Sequence, residues 1–343
     1  MRAVRFYGRR DVRMDQVEDL GSPKPGWVRL KVDACGICGT DLEGYVNGPD
    51  DREYAGKGIL TLGHEGAGTV VETGEGVSLA IGQRVAVEGH LFCRECFYCL
   101  RGDYALCVRL KSLGQGADGG LAEEMLAPEY MCLPYADSLE PHHAALAEPT
   151  SVAVRAVRRG RLAAGETVVV VGGGTIGLLL LQIVRLRGAA RVVVVEPVAS
   201  RRELALRLGA DQAVAPDDAQ ATLDELTSGV GADVAFEAGG SPAAAKAAVE
   251  LVRKGGRTVL LGVTGGSLEL PLLRFLLTEK EVIASLSHTY DVDFPEALRL
   301  LESGQVVAEP LITDRIGLDQ VVSHGFEALL AEPAAHLKVL VVP

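Results

Sequence analysis

Four cysteines are crowded into one short polar segment with the spacing Cys-x2-Cys-x2-Cys-x7-Cys. Thiolates this close in sequence can close a tetrahedron around one zinc ion, and a full tetrahedron leaves no position for water or substrate. Four independent core cysteines would not gather in a polar loop. We therefore predict a structural zinc site formed by Cys93, Cys96, Cys99 and Cys107.

A glycine-rich turn, Gly172-Gly-Gly-Thr-Ile-Gly177, follows a run of valines and opens an apolar helical stretch. Glycines at these positions permit a tight turn and a close approach of the backbone to a pyrophosphate, which the helix N-terminus attracts. About twenty residues further on, a glutamate ends the next strand, where a carboxylate binds the adenosine ribose hydroxyls and repels the 2′-phosphate of NADP. The predicted cofactor is therefore NAD, with NADP less favoured. We assign to it Gly172, Gly174, Thr175, Ile176, Gly177, Glu196, Arg201, Gly262, Val263 and Leu286.

Arg201 and the adjacent Arg202 bear on that cofactor prediction. They follow Glu196 by five and six residues. Two guanidinium groups could neutralise the 2′-phosphate of NADP, or they could lie against the adenine. The acidic residue nevertheless favours NAD.

A third set of metal-binding residue types is dispersed along the chain. Cys38 lies in Gly36-Ile-Cys-Gly-Thr-Asp41, His64 and Glu65 lie in Leu62-Gly-His-Glu-Gly66, and Glu148 lies in Leu146-Ala-Glu-Pro149. A thiolate, an imidazole and a carboxylate can hold zinc and leave one coordination position open. Each residue alone could equally be core filler, a hydrogen-bonded turn residue or a charge at a helix end.

Together these motifs resemble the zinc-dependent medium-chain dehydrogenase/reductase superfamily of alcohol, polyol, threonine and butanediol dehydrogenases. The resemblance covers the whole chain and also includes Gly82-Gln-Arg-Val85, with all motifs in family order. It implies an α/β protein with two domains. Residues 1–150 with 287–343 would form a GroES-like β-barrel catalytic domain, and residues 151–286 a Rossmann domain with a doubly wound parallel sheet that binds NAD.

The resemblance also implies roles for the dispersed residues. Cys38, His64 and Glu148 look like the ligands of a catalytic zinc, and Glu65 like a neighbouring carboxylate that can enter the coordination sphere. Which of the two glutamates is the third permanent ligand stays open. Thr40 takes the hydroxyl position beside the metal and can accept the alcohol proton. A glutamate at 148, where simple alcohol dehydrogenases usually have a second cysteine, resembles the polyol, threonine and butanediol branch.

Glu43 departs from the pattern of that branch, which often has histidine five residues after the zinc cysteine. Some sugar dehydrogenases resemble this chain in having glutamate there. Glu43 could relay a proton, bind a substrate hydroxyl or face solvent. The remaining histidines of interest are predicted to be ordinary, since neither His288 nor His324 has a cysteine or carboxylate at metal-site spacing and His90 is similarly uncertain. His288 could lie near the cofactor.

The elements that must position these groups follow from hydrophobic periodicity. Val28, Leu30 and Val32 alternate with charged residues, which is typical of a strand with one wet face, and similar short strands with few helices continue to Ala144. From Gly165, apolar strands alternate with helical stretches, which indicates βαβ units. The predicted strands are Thr167–Val171, Arg191–Val195, Gln212–Val214, Asp233–Phe236, Arg257–Leu261, Val282–Leu286 and Leu337–Val342, and the helices Ile176–Arg187, Ser200–Leu208, Ala219–Ser228, Pro242–Arg253 and Phe294–Glu302.

Composition excludes several other functions. The 343 residues carry a net charge of -12, which disfavours nucleic acid and anionic lipid. The uncharged stretch Thr167–Val184 has glycines at its middle and does not predict a membrane helix, and no secretory signal is recognisable. The seven cysteines suit metal ligation in a reducing cytoplasm better than disulfides. The family resemblance implies a homodimer or homotetramer acting on a small molecule.

The predicted activity is reversible oxidation of a secondary alcohol to a ketone, with zinc and NAD. The leading substrate class is a polyol, a vicinal diol or an amino alcohol. An aldose 1-dehydrogenase is the alternative, encouraged by Glu43 and by Tyr45-Val-Asn-Gly48. A protein of another class, a sensor that binds zinc and NAD without catalysis, would have no need of an intact Cys38, His64, Glu148 and Thr40.

Overall fold

A computed structural model of the chain describes residues 1–48 and 58–343. The chain divides into two compact units. One unit comprises Met1–Ser151 with His288–Pro343, and the other comprises Val152–Ser287. The first is therefore assembled from two distant stretches of chain, and the second is contiguous.

The first unit is built mainly on antiparallel strands. The side chains of Val28, Leu30 and Val32 are buried, whereas Lys31 between them is exposed, so the predicted alternation is confirmed. The strands of this unit are β1 (Arg2–Gly8), β2 (Asp11–Gln16), β3 (Trp27–Gly36), β4 (Leu60–Thr61), β5 (Glu65–Thr73), β6 (Arg84–Val87), β7 (His90–Leu91), β8 (Lys111–Ser112), β9 (Glu124–Pro128), β10 (Cys132–Pro134), β17 (Ile312–Ile316) and β18 (Lys338–Val341).

The central sheet of this unit has the strand order β10-β6-β5-β3-β18-β17, and β9 also pairs with β3. In the register of this sheet, Gly36 at the end of β3 lies opposite Glu65 at the start of β5. On its other side Gly36 lies opposite Leu340 of β18. The end of β3, the start of β5 and the C-terminal strand therefore meet at one place.

Of the helices of this unit the sequence predicted only the one at 294–302, and among those it missed is α1 (Gly39–Asn47). It was missed because it is short and contains two glycines, Gly39 and Gly44, which weaken the local helical signal. The other helices are α2 (Pro141–Ala144), α3 (Ala147–Arg159), which crosses into the second unit, α9 (Asp293–Glu302) and α10 (Glu327–Ala331), preceded by a π-helical turn at Val321–Phe326.

The second unit, which the structure describes throughout, holds a parallel sheet in the order β13-β12-β11-β14-β15-β16. Its strands are β11 (Thr167–Val171), β12 (Arg191–Val195), β13 (Gln212–Val214), β14 (Ala232–Glu237), β15 (Val252–Leu260) and β16 (Glu281–Ala284), and its helices are α4 (Thr175–Leu186), α5 (Ala199–Arg207), α6 (Ala219–Thr227), α7 (Pro242–Leu251) and α8 (Leu272–Thr278). This is the strand order of doubly wound dinucleotide-binding folds, and it confirms the predicted α/β class.

Several features of this unit differ from the prediction. The strand predicted at Arg257–Leu261 spans Val252–Leu260. The helix predicted to reach Arg253 ends at Leu251, because Val252 already pairs with Ala232 in the parallel sheet. The short helix α8 was not predicted, since its run of leucines has no polar face to give it a helical period. Across residues 1–48 and 58–343, no helix combines the length and the apolar character needed to cross a membrane.

Candidate active site and metal centres

The strand register brings three of the dispersed residues together. Cys38 follows β3, His64 directly precedes β5, and Glu65 is the first residue of β5. The metal-binding atoms of these three residues all lie within 4.8 Å of one another. Cys38 and His64 are partly exposed, whereas Glu65 is buried. A thiolate, an imidazole and a carboxylate at this separation form a donor set that suits zinc.

Two glycines make this approach possible. A Cβ on Gly36 would lie 2.0 Å from the Glu65 carboxylate, so only glycine leaves room for that side chain. Gly63, directly before His64, has a φ of +97°, which disfavours any other residue, and a Cβ there would lie 2.8 Å from the Cys35 sulfur. Both positions are therefore fixed by the site.

Asp41 is a buried carboxylate beside the donor set that was not predicted from the sequence. Its Oδ2 accepts the Cys38 N–H at 3.0 Å, and its Oδ1 lies 3.6 Å from His64 Nδ1. Burial disfavours the charged imidazole, but the negative charges of Asp41 and Cys38 outweigh burial and raise the pKa of His64. A carboxylate behind a ligating histidine is a common outer partner in metal sites. The Asp at the end of the cysteine motif could have indicated it.

Glu65 also has a partner that was not predicted from the sequence, Lys338 at the start of β18. Lys338 Nζ lies 2.7 and 2.5 Å from the two Glu65 oxygens and donates to the Ile37 carbonyl at 3.1 Å. Burial opposes the charge on this lysine, but Glu65 raises the pKa of Lys338 above its ordinary value. A single lysine in the apolar C-terminal run was the signal that could have found this pair.

Glu148 lies in the first turn of α3, where the helix dipole favours an acidic side chain. It is buried, but it is not among the residues whose donor atoms fall within 4.8 Å of Cys38 and His64. Its Oε1 lies 3.4 Å from Nδ1 of His288. The structure thus places Glu65 in the donor cluster and Glu148 against a histidine.

The prediction that His288 is without a carboxylate partner was wrong. His288 is fully buried, and its Nε2 lies 2.9 Å from Glu88 Oε1, which in turn lies 2.8 Å from Nδ1 of His90. Burial opposes ionisation of Glu88, yet the charges of His90 and His288 lower the pKa of Glu88 to about 2. Residues distant in sequence supply these partners, so spacing could not reveal them. His324 is exposed and hydrogen-bonds with Ser323.

Thr40 lies in the first turn of α1, two residues after Cys38. The Gln115 amide in the turn after β8 donates a hydrogen bond to Thr40 Oγ1 at 2.8 Å. Glu43 is half-buried on the same helix. The segment between Gly44 and Leu60 carries no recognisable motif, and its positions 49–57 lie outside the described residues.

Tyr45 had encouraged the sugar alternative, but its side chain is engaged within the unit. Its hydroxyl hydrogen-bonds with Glu327 at 2.5 Å, and its ring packs against Phe326 with the centroids 5.0 Å apart. The ring is buried, and burial raises the pKa of the phenol. Tyr45 therefore supports the fold of this region.

The four-cysteine segment brings its donor atoms together independently of the Cys38 cluster. The sulfurs of Cys93, Cys96, Cys99 and Cys107 all lie within 4.8 Å of one another. The backbone N–H groups of Cys93 and Arg109 both donate to the Cys107 sulfur at 3.3 Å. These bonds orient the sulfur.

The thiols of this lobe have divergent acidities. A hydrogen bond from the Glu95 backbone lowers the pKa of Cys93 to about 6, whereas burial and the neighbouring thiols raise the pKa of Cys99 to about 12. Four thiolates would repel one another without a cation between them. The donor set fits one zinc, and the predicted tetrahedron leaves no open position.

The glycine-rich turn follows β11 and opens α4, as the motif requires. Gly172 has a φ of +105°, and a Cβ on Gly177 would lie 1.8 Å from the Gly172 carbonyl oxygen. Apart from its chain neighbours and its own helix, no atom of the described residues lies within 4 Å of the Cβ position of Gly174, so there is open space at this helix N-terminus. This arrangement fits a pyrophosphate.

Glu196 stands beside the turn at the end of β12. Its Oε2 accepts the Gly173 N–H at 2.6 Å, and its Oε1 accepts the Val198 N–H at 2.9 Å. Arg202 donates to the carbonyls of Glu196 and Pro197 at 2.8 and 2.6 Å, so its guanidinium is directed to the backbone. Arg201 is partly buried on α5.

The other residues assigned to the cofactor follow the carboxyl ends of neighbouring strands. Gly262 comes after β15, with Val263 next to it, and Leu286 comes after β16. Val263 and Leu286 are about half exposed. Buried Glu237, which ends β14 and was not predicted, accepts the Gly262 N–H at 3.1 Å and two further backbone N–H groups. In parallel α/β sheets, ligands bind at this edge.

Comparison with known proteins agrees with these features. Residues 24–137 match the alcohol dehydrogenase GroES-like domain, and residues 175–303 match the zinc-binding dehydrogenase family. The chain is 35% identical to (R,R)-butanediol dehydrogenase of Bacillus subtilis (strain 168), over 100% of both chains. It is also 35% identical to L-threonine 3-dehydrogenase of Pyrococcus horikoshii, over 91% of this chain and 90% of that protein.

Among solved structures, a proposed zinc-binding dehydrogenase from Sinorhizobium meliloti 1021 bound to NADP is similar. Its TM-score is 0.91 at 33% identity, over 100% of this chain and 99% of that one. The GroES-like catalytic domain and the Rossmann fold expected from the sequence are thereby confirmed. The chain belongs to the zinc-dependent medium-chain dehydrogenase/reductase superfamily, enzymes that oxidise CH–OH groups and for which zinc and NAD are the expected cofactors.

Proposed function

We propose that the enzyme reversibly oxidises the secondary alcohol of a polyol, a vicinal diol or an amino alcohol to a ketone. The observation that carries this proposal is the cluster of Cys38, His64 and Glu65 with buried Glu148 in the same unit. The relatives named for butanediol and threonine give the substrate class. The alcohol loses a proton and a hydride, and the hydride reduces the nicotinamide.

The proposed ligands of the catalytic zinc are Cys38, His64 and one of the two glutamates, Glu148 or Glu65. A zinc ion bound there supplies Lewis acidity that lowers the pKa of an alcohol. Thr40 accepts the alcohol proton. A hydroxyl oxygen has two lone pairs and one hydrogen, so Thr40 can accept from Gln115 and from the alcohol and still donate onward.

The proposed structural zinc is held by Cys93, Cys96, Cys99 and Cys107, which makes two zinc ions per chain. The proposed domain assignment follows the sites. Residues 1–150 with 287–343 would form the catalytic domain, and residues 151–286 the NAD-binding domain. Seven free cysteines, with four gathered as metal donors, support a reducing compartment such as the cytoplasm.

For the cofactor we propose NAD in preference to NADP. Glu196 lies beside the glycine-rich turn and bonds to its backbone, where its charge opposes a 2′-phosphate. Arg202 is turned to the backbone carbonyls, which reduces its capacity to compensate. Related structures with NADP or NADH bound show that the superfamily accommodates both cofactors.

We also propose that the enzyme is a homodimer or homotetramer. On α8, Leu272, Leu273, Leu276 and Leu277 are 69–82% exposed, and α8 connects to β16, the last strand in the order of the parallel sheet. Exposed leucines beside a sheet edge are typical of a surface that a second copy covers. Sedimentation at micromolar concentration tests this, and Leu276→Glu should lower the assembly state.

The activity is tested by NADH production from vicinal diols, polyols, 3-hydroxy amino acids and aldoses. We expect the highest kcat/KM with one of the first three classes. A preference for aldoses would instead support an aldose 1-dehydrogenase, with half-buried Glu43 as the sugar contact. If no alcohol were turned over at full zinc and NAD occupancy, the result would support a non-catalytic sensor instead of an enzyme.

A further inference from the structure

The two glutamates that could complete the zinc site have different neighbours. Glu65 is engaged through both oxygens by Lys338, at 2.5 and 2.7 Å. Glu148 faces an imidazole instead, with its Oε1 3.4 Å from His288 Nδ1. A carboxylate that already shares both oxygens with a buried ammonium is a poorer permanent metal ligand than one that shares a single oxygen with a histidine.

His288 is held from the side opposite Glu148. Its side chain is fully buried, and its Nε2 lies 2.9 Å from Glu88 Oε1. Glu88 is buried as well and is fixed by His90, whose Nδ1 lies 2.8 Å from Oε1 and whose backbone N–H donates to Oε2 at 3.0 Å. The His90 ring also packs edge-on against the His288 ring, with centroids 4.7 Å apart. The imidazole therefore has little freedom to turn.

We propose that His288 is a positioning residue that orients Glu148 toward the zinc donors Cys38 and His64. Glu88 and His90 fix the imidazole, and its Nδ1 holds one oxygen of Glu148, which leaves the other oxygen for the metal. This inference rests on the proposed zinc site. It makes Glu148 the permanent carboxylate ligand and leaves Glu65 in its ion pair with Lys338.

The two nitrogens of His288 can be tested separately. In His288→Asn, the side-chain amide nitrogen replaces Nδ1 and keeps the contact with Glu148, whereas in His288→Gln it replaces Nε2 and keeps only the contact with Glu88. The readout is the zinc dissociation constant of the catalytic site, measured by competition with a chelator. The visible spectrum of the cobalt-substituted enzyme reports its coordination.

We expect His288→Gln to weaken zinc binding about 10–100-fold, the usual cost of losing an outer-sphere partner, and to alter the cobalt spectrum. His288→Asn should stay within about threefold of the wild-type dissociation constant. His324→Gln, at an exposed histidine, is the matched control and should change neither measurement. Tight zinc binding and an unchanged cobalt spectrum in His288→Gln would overturn the proposal. Equal losses in both His288 variants would also overturn it.

Glu88→Gln gives a second route if His288→Gln fails to fold. It removes the charge that anchors Nε2 while leaving Glu148 and His288 in place, and it should weaken zinc binding severalfold. Unchanged affinity in Glu88→Gln would contradict the proposal. Cys38→Ser separates this inference from the site on which it rests. Retention of the chelatable zinc in Cys38→Ser would reject the site itself, whereas loss there with tight binding in His288→Gln would reject only the role of His288.

Discussion

The two cysteine-bearing sites of this enzyme are built in opposite ways. In the four-cysteine lobe, one short segment provides all four donors, and its own backbone N–H groups orient Cys107. The Cys38 cluster instead draws on the end of β3, the start of β5 and, for its buried ion pair, the start of β18. A local site depends on the metal to hold a loop together, and a dispersed site depends on the sheet to hold its ligands.

This contrast separates stability from activity. Loss of a donor in the lobe should loosen a loop, because little else fixes that segment. Loss of a donor at Cys38 should spare the fold, because strand pairing holds its neighbours in place.

The largest effect is expected from Cys38→Ser. Serine is a poor zinc ligand, so we expect kcat to fall by at least about a thousandfold while Tm stays close to the wild-type value. Cys132→Ala is the matched control, since Cys132 is buried in the same unit outside both clusters, and it should keep its activity. Kinetics with NAD and thermal unfolding provide the two readouts. Unfolding of Cys38→Ser at room temperature would contradict the conclusion that this site serves activity and the four-cysteine lobe serves stability.

Chelation should divide the bound metal into two classes. We expect two zinc ions per chain, of which one leaves readily and takes nearly all activity with it, because only the site with an open position is accessible to a chelator. The other should remain until the lobe opens. Elemental analysis during dialysis against a chelator measures both. A single zinc in the active enzyme would show that one of the two sites is misassigned.

Cys107→Ser should act on stability first. Its sulfur receives two backbone hydrogen bonds, so the substitution disturbs both the metal and the loop. We expect Tm to fall by roughly 5–10 °C, with release of the tightly held zinc. Scanning calorimetry with zinc analysis tests this. An unchanged Tm after loss of that zinc would mean that the loop is stable without metal.

Glu196→Ala tests a local site of another kind, the glycine-rich turn. Removing the carboxylate should shift the cofactor preference about tenfold toward NADP, because the repulsion of the 2′-phosphate disappears. The preference is the kcat/KM measured with NAD divided by the kcat/KM measured with NADP. Glu203→Ala, at an exposed acid on α5, is the control and should leave the ratio unchanged. A wild-type enzyme that already prefers NADP would contradict the role of Glu196.

The smallest effect is expected from Glu43→Gln. If the half-buried glutamate relays protons, kcat should fall severalfold and the acid limb of its pH profile should shift, with zinc content unchanged. The exposed Glu75→Gln is the control. An unaltered pH profile with a raised KM would instead place Glu43 in substrate recognition.

The sequence predicted local features of the molecule better than the contacts between distant segments. The bounds of β11, β12 and β13 match the predicted strands. For β11 and β12 this is because apolar runs between turns mark parallel strands well. The Cys93 segment and the glycine-rich turn were also recognisable, since local spacing is visible in a sequence. The residues of the Cys38 site were recognisable by their metal-binding types, and the family resemblance suggested that they belong to one site.

The partners of the dispersed site were not predicted. Lys338 and Glu65 are 273 residues apart, and His288 reaches Glu88 and Glu148 from a third stretch of chain. Hydrophobic periodicity places elements but does not state which side chains meet. Asp41 was missed for a different reason, since α1 was not predicted and the sequence does not show that this carboxylate lies beside His64.

The separation between Glu65 and Lys338 has a consequence for biosynthesis. At about 5–20 residues per second, the ribosome needs roughly 14–55 s to add the 273 residues between the two partners. During that interval all of Val152–Ser287 is translated, and this contiguous unit can fold while the carboxylate of Glu65 still lacks its cation. The nascent chain therefore lacks, until its C-terminal strand is made, the cation that compensates buried Glu65, and we expect this end of the sheet to close only after that strand arrives.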